Sequence, residues 1–208
     1  MWIKRIGIYL LGIMSVSTGI VLCALCGLGI SPVSSWPYVL AEATSLSFGT
    51  LTMVFHLFNI TFQYIVERKL INVKVLLQIP VAVVFGILLD KIKKIIVVDT
   101  SNPFSQGIAL LLSVIFTAFG MALMINMELV QNPPDGCVKD LSEMTRIDMG
   151  KMKLIYDFFM ALTSSLVGYL LLGDFRGLGI ATVVSAIFVG KILTGLQKSL
   201  GVKLKSLI

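Results

Sequence analysis

Charge is what this sequence has least of. Aspartate, glutamate, lysine and arginine make up 13% of its 208 residues, where a soluble globular protein carries about 25%. A water-facing surface cannot be built from so few charges, and the mean hydropathy of +0.96 puts the chain among integral membrane proteins. Histidine occurs once, at His56, and cysteine three times, at Cys23, Cys26 and Cys137. That scarcity excludes a disulfide framework and a clustered zinc site. Cys23 and Cys26 form a C-x-x-C inside an apolar run with no second ligand pair, so they are expected to pack as small apolar side chains. Period-two alternation is missing from the long apolar runs, which argues against strands. Gly27-Leu28-Gly29 lacks the preceding strand and the third glycine of a dinucleotide fingerprint. No nucleophile–base pair is visible either, so no cofactor, no metal and no enzymatic activity are expected. The net charge of +6 comes from basic residues set between apolar runs rather than on one face, a membrane pattern that excludes nucleic acid as a partner.

What the sequence has is six apolar runs, at about 6–26, 48–66, 73–89, 106–127, 154–172 and 177–196. Each comes near the roughly 20 residues that cross a hydrocarbon core of about 30 Å. Lipid offers no backbone partners, so all six are expected to be helices. The start resembles a signal peptide, Lys4 and Arg5 preceding an apolar core, but the run continues to Ala24 and reads as an uncleaved first span. With the N-terminus cytoplasmic, thirteen lysines and arginines fall in inside segments and four outside. That asymmetry predicts both termini inside. The outside cluster Asp90–Lys94 is the misfit, and it implies a short third span.

A shift of 101 positions superposes the two halves: Gly19 falls on Gly120, Pro32 on Pro133, Leu40 on Leu141, Glu42 on Glu143, Thr44 on Thr145 and Gly49 on Gly150. Three spans per half make the second half enter the membrane the other way up. The expected fold is an all-α membrane protein with about six transmembrane helices as two inverted three-helix repeats, residues 1–100 and 101–208, forming one membrane domain.

Each repeat carries a polar stretch between its first and second spans, and there Ser34 and Asp135 follow Pro32 and Pro133 as helix-capping residues. Both stretches are therefore expected to be short, polar-capped helices. Two placements fit. A re-entrant helix would bring free N–H groups to the interior, whereas an interfacial one would lie along the surface. In the second copy Val138, Leu141, Met144 and Ile147 recur every three residues opposite charged ones, which favours the surface. The first copy has only Glu42 and can enter the bilayer at little cost.

Polar side chains within the spans are the remaining signal, since ionisable groups in a membrane are costly and mark function. His56 and Asp157 are 101 positions apart, and equivalent positions of inverted repeats can meet across the axis. Asn59 and Gln63 extend the polar face of the second span. Gln78 precedes Pro80 in the third span, and Asp90 ends it. Glycines and small residues of the first and last spans follow small-x-x-small spacing, a helix-packing signal.

Over nearly its whole length the sequence resembles the YczE/YitT-type bacterial integral membrane proteins. The resemblance rests on Gly29-Ile30-Ser31-Pro32, Pro37-Tyr38, Ser47-Phe48-Gly49, Asn59, Gln63, Leu77-Gln78-Ile79-Pro80, Phe85-Gly86 and Asp90. In the second half it rests on Pro134-Asp135-Gly136, Val138-Lys139, Gly150, Lys151, Lys153, Asp157, Thr182 and Val189-Gly190. Pro134 stands where that family has glycine, and Leu178-Gly179-Ile180 departs from its Glu-Gly-Thr element. The resemblance implies a bacterial cytoplasmic membrane location and carries no settled activity.

The expected function is a small-solute or ion transporter or channel, proton- or cation-coupled. Its site is formed by Asp157, Asp135, Asn59, Gln63, Gln78, Ser31, Pro32, Ser34, Ser35, His56, Asp90 and Gly136, with Pro32–Ser35 facing Asp157. The alternative is a membrane accessory protein that regulates another membrane component. Partners under either reading are the lipid bilayer, with a small solute or ion for the first and a membrane protein for the second. Self-association into a homo-oligomer is compatible with both.

Overall fold

The computed structural model describes residues 2–67, 73–175 and 177–206. Arg68, Lys69 and Arg176, which enter the charge count, lie outside them, as do the side chains of Lys203 and Lys205. Every regular element among the described residues is a helix: α1 (Trp2–Leu25), α2 (Pro32–Ala43), α3 (Phe48–Glu67), α4 (Val73–Leu76), α5 (Gln78–Ile95), α6 (Pro103–Met127), α7 (Pro133–Thr145), α8 (Met149–Leu172) and α9 (Ile180–Ser206). Among the described residues five stretches are long and apolar enough to cross a membrane: α1, α4 with α5, α6, α8, and residues 180–199 of α9. The expected second span, α3, has 20 residues, enough for about 30 Å at 1.5 Å each. It falls outside that set because Thr52, His56, Asn59 and Gln63 dilute its apolar character.

Helix starts repeat at the offset seen in the sequence. Trp2 and Pro103, Pro32 and Pro133, and Phe48 and Met149 are each 101 apart. The caps repeat too. Ser47 Oγ accepts from Thr50 N (3.1 Å) before α3, and Asp148 accepts from Gly150 N (3.0 Å) before α8.

Two expectations on local structure are corrected. Pro32 and Pro133 are the first helical residues of α2 and α7, so Ser34 and Asp135 stand inside the first turn and not at the cap position. Proline suits that position because its missing N–H is one the helix leaves unpaired anyway. The cap of α7 is Asn132, whose side chain makes no cap bond. Secondly, the third apolar run is not short. It breaks at Leu77, where Pro80 cannot donate to the Leu76 carbonyl, and α5 then continues through Asp90–Lys94 to Ile95. Lys93 and Lys94 in the last turn suit the negative end of the helix dipole.

The chain divides into two compact units, each drawing on both halves of the sequence. The first comprises Met1–Ser31, Leu88–Leu129 and Leu178–Ile208. Its centre is α1 packed on α6, in antiparallel order: Ser15 Oγ donates to the Phe116 carbonyl (2.7 Å), Gly12 lies against Gly120, and Gly19 lies against Ser113 and Thr117. A Cβ on Gly120 would sit 2.6 Å from the Gly12 carbonyl oxygen, so only glycine lets the backbones come this close. In the same unit the Ala181 N–H donates to the Leu28 carbonyl (2.9 Å). Gly179 faces that carbonyl with no room for a side chain.

The second unit comprises Pro32–Ile87 and Val130–Gly177. In it α2 packs on α3 and α8, and α7 packs on α3 and α8. Its polar and apolar faces are reversed relative to a soluble protein. Thr52, His56, Asn59 and Gln63 of α3 are buried, while Val54, Phe58 and Ile65 of the same helix are 55%, 65% and 67% exposed. On α8, Ser164 and Ser165 are buried and Leu154, Phe158 and Leu170 exposed. A surface of this kind is stable against lipid and not against water.

Candidate functional site

The polar interior of the second unit holds most of the expected residues, in three groups. The first is an amide pair. His56, Asn59 and Gln63 share one face of α3 because they are three and four residues apart. At the end of that face Gln63 Nε2 donates to Gln78 Oε1 (2.9 Å) and Gln78 Nε2 returns a bond to Gln63 Oε1 (3.0 Å). Gln63 Nε2 also reaches the Pro133 carbonyl at 3.1 Å, holding the start of α7. Gly136 completes the fit, since a Cβ there would lie 2.6 Å from Gln63 Oε1. One turn back, Asn59 accepts from the Tyr156 hydroxyl (2.6 Å) and donates to the Phe55 carbonyl (2.8 Å).

The second group is the counterpart of the first at the 101-residue offset. Ser164 Oγ donates to Ser35 Oγ (2.8 Å), which donates to the Pro32 carbonyl (2.6 Å). Ser35 and Ser164 occupy the positions equivalent to Gly136 and Gln63. Trp36 Nε1 donates to Thr163 Oγ1 at 2.8 Å beside them. Pro32–Ser35 therefore meets α8 at Met160–Ser164 rather than at Asp157.

The third group carries charge. Lys153 Nζ lies 3.0 Å from Asp157 Oδ1 and 3.6 Å from Asp135 Oδ1, with the Tyr156 ring centroid 5.9 Å away. Lys153 and Asp157 are one turn apart on α8, and Asp135 comes from the first turn of α7. The side chains of Lys153, Asp135 and Asp157 are 32%, 29% and 14% exposed, so the group is lined by protein but not sealed.

Other expected members lie elsewhere. His56 does not pair with Asp157. It packs against Phe85, ring centroids 5.3 Å apart, and its buried Nδ1 has no hydrogen-bond partner among the described residues. Ser34 is buried on α2. Ser31 and Asp90 belong to the first unit. Cys137, buried against Tyr156, is an apolar filler: burial, with the charge of Asp140 adding to it, pushes its thiol up to about 12, far from a reactive thiolate.

Sequence reasoning left Lys153, Tyr156 and Ser164 out of the site. Lys153 counted as a cytoplasmic cation and as part of the family resemblance, although its place four residues before Asp157 put both on one helix face. Ser164 was reachable by adding 101 to Gln63.

A family model matches the chain over residues 3–198, and its description is that of a family of unknown function, DUF6198. No curated protein and no solved structure matches the chain.

Proposed function

The chain belongs to the DUF6198 family, and because that family brings no activity with it, we propose one from the side chains: a membrane transporter or channel that moves a small solute or ion with a cation- or proton-coupled step. The observation that carries this reading is the single ammonium shared by two carboxylates, Asp135–Lys153–Asp157. Two carboxylates and one lysine, all partly buried, leave one negative charge uncompensated. Such a charge is costly unless a cation or a proton joins it. A purely structural ion pair would be expected to balance.

The same proposal takes α3 as a sixth span and the halves 1–100 and 101–208 as inverted repeats. The recurring helix starts and the antiparallel α1–α6 crossing support it. It also places both termini on the cytoplasmic side of a bacterial cytoplasmic membrane, on the charge asymmetry and the YczE/YitT-type resemblance.

The test is proton uptake into proteoliposomes, read by a pH-sensitive dye under an imposed potassium diffusion potential and a panel of solutes. Wild-type protein is expected to give uptake with at least one solute, and Asp157→Asn and Asp135→Asn to abolish it while leaving the elution profile unchanged. Uptake equal to wild type in both variants would remove these carboxylates from the mechanism. No uptake by wild type under any condition would favour an accessory role.

A further inference from the structure

The geometry of the charged group says more than that a cation binds there. We infer that Lys153 is a tethered stand-in for the ligand. The space between Asp135 and Asp157 is a site for a monovalent cation of the ammonium type, and Lys153 fills it when no ligand is bound. This rests on the reading of the three residues as a ligand site.

The chemistry around Nζ is that of ammonium recognition. Two carboxylate oxygens lie at 3.0 and 3.6 Å, and the Tyr156 ring offers its face at 5.9 Å. Carboxylates accept charge-assisted hydrogen bonds from an ammonium, and an aromatic face attracts a cation within about 6 Å. A hard metal ion asks for something else, six or more oxygens in its first shell. No cluster of three or more acidic, histidine or cysteine side chains suited to a metal ion occurs among the described residues. The set of donors fits an ammonium better than a metal ion.

Lys153 is also placed to leave. It shares α8 with Asp157 at a spacing of one turn, so that contact survives small rotations of its side chain. Its contact with Asp135 on α7 is the longer one, at 3.6 Å. With 32% of its side chain exposed, the ammonium can swing outward along the helix while a free cation takes its place. Until then it competes intramolecularly, at the high effective concentration that a short tether confers. The Tyr156 hydroxyl, bonded to Asn59 at 2.6 Å, holds the ring in place during such an exchange.

The experiment is isothermal titration of methylammonium chloride into the purified full-length protein in detergent, at constant ionic strength. Lys153→Met keeps the apolar stem and removes the competitor. It is expected to bind methylammonium about tenfold or more tightly than wild type, and adding Asp135→Asn to it should erase the gain. Lys153→Arg keeps the charge and can hold both carboxylates through its planar fork, so it is expected to bind more weakly than wild type. Wild-type affinity in either single variant overturns the inference, and Lys153→Arg keeps that test open if Lys153→Met does not fold. Titration reads binding alone. Methylammonium binding without flux would keep this inference and sink transport, whereas flux that depends on Asp157 without methylammonium binding would do the reverse.

Discussion

Gln63 and Gln78 hold each other's amide in a buried place, and Gln63 also holds the Pro133 carbonyl. Gln63→Leu leaves the Gln78 amide unpaired and is expected to cost about 1–3 kcal/mol. Gln78→Leu should do the same, and the double variant should lose less than the sum because neither amide is then left without the other. Unfolding can be followed with a fluorogenic maleimide, since Cys23, Cys26 and Cys137 are all buried free thiols. Additive losses would mean that the pair does not act as a unit. At this scale the sequence was legible in part. Buried polar residues announced themselves by being out of place in apolar runs, as Asn59, Gln63 and Asp157 did. Tyr156 and Ser164 did not, because a tyrosine or a serine in an apolar helix is unremarkable until its neighbour is known. His56 shows the opposite failure: an ionisable type in an apolar run, it sits against Phe85 rather than in the charged group.

Among the helices, position mattered more than composition. Glycines within the apolar runs sit in different surroundings. Gly120 touches the α1 backbone, whereas a Cβ on Gly190 would meet nothing within 4 Å. Gly120→Ala is therefore expected to destabilise by about 1–3 kcal/mol, since the obstacle is backbone and cannot give way. Gly190→Ala is expected to be neutral or to stabilise by up to about 1 kcal/mol, the ordinary helix preference for alanine. Melting both variants beside wild type decides this, and equal losses would mean that α9 has a neighbour at Gly190. The short helices illustrate why caps were misplaced. Ser34 and Asp135 are good capping residues, but Pro32 and Pro133, each two positions earlier, begin the helix first. Asp135 is then free to turn toward Lys153 instead of a backbone N–H.

Over the whole chain the offset of 101 was the most informative thing in the sequence. It survives in the starts of α1 and α6, α2 and α7, and α3 and α8. It survives also in contacts that pair unlike residues at equivalent places, Gln63 with Gly136 and Ser164 with Ser35. What it did not reveal is that each compact unit mixes both halves. A sequence repeat fixes which residues correspond, and the packing decides which of them touch. The charged group has no counterpart at that offset, because Ser34, Thr52 and His56 stand 101 positions before Asp135, Lys153 and Asp157.

The hydrogen bond from Ser15 to Phe116 joins two positions that correspond to each other. A contact between a position and its own counterpart is what a symmetric pair of identical subunits makes on its axis. Under the inverted-repeat proposal, this contact and the close approach of Gly12 to Gly120 make the α1–α6 seam the place where the two halves hold each other. That seam has a consequence for the halves as separate chains. Residues 1–100 and 101–208 expressed as separate polypeptides in one cell are expected to find each other through α1 and α6 and to copurify from membranes at equal stoichiometry. Gly120→Ala in the second fragment should weaken their recovery, and fragments that never associate would show that the covalent link, not the seam, holds the halves together.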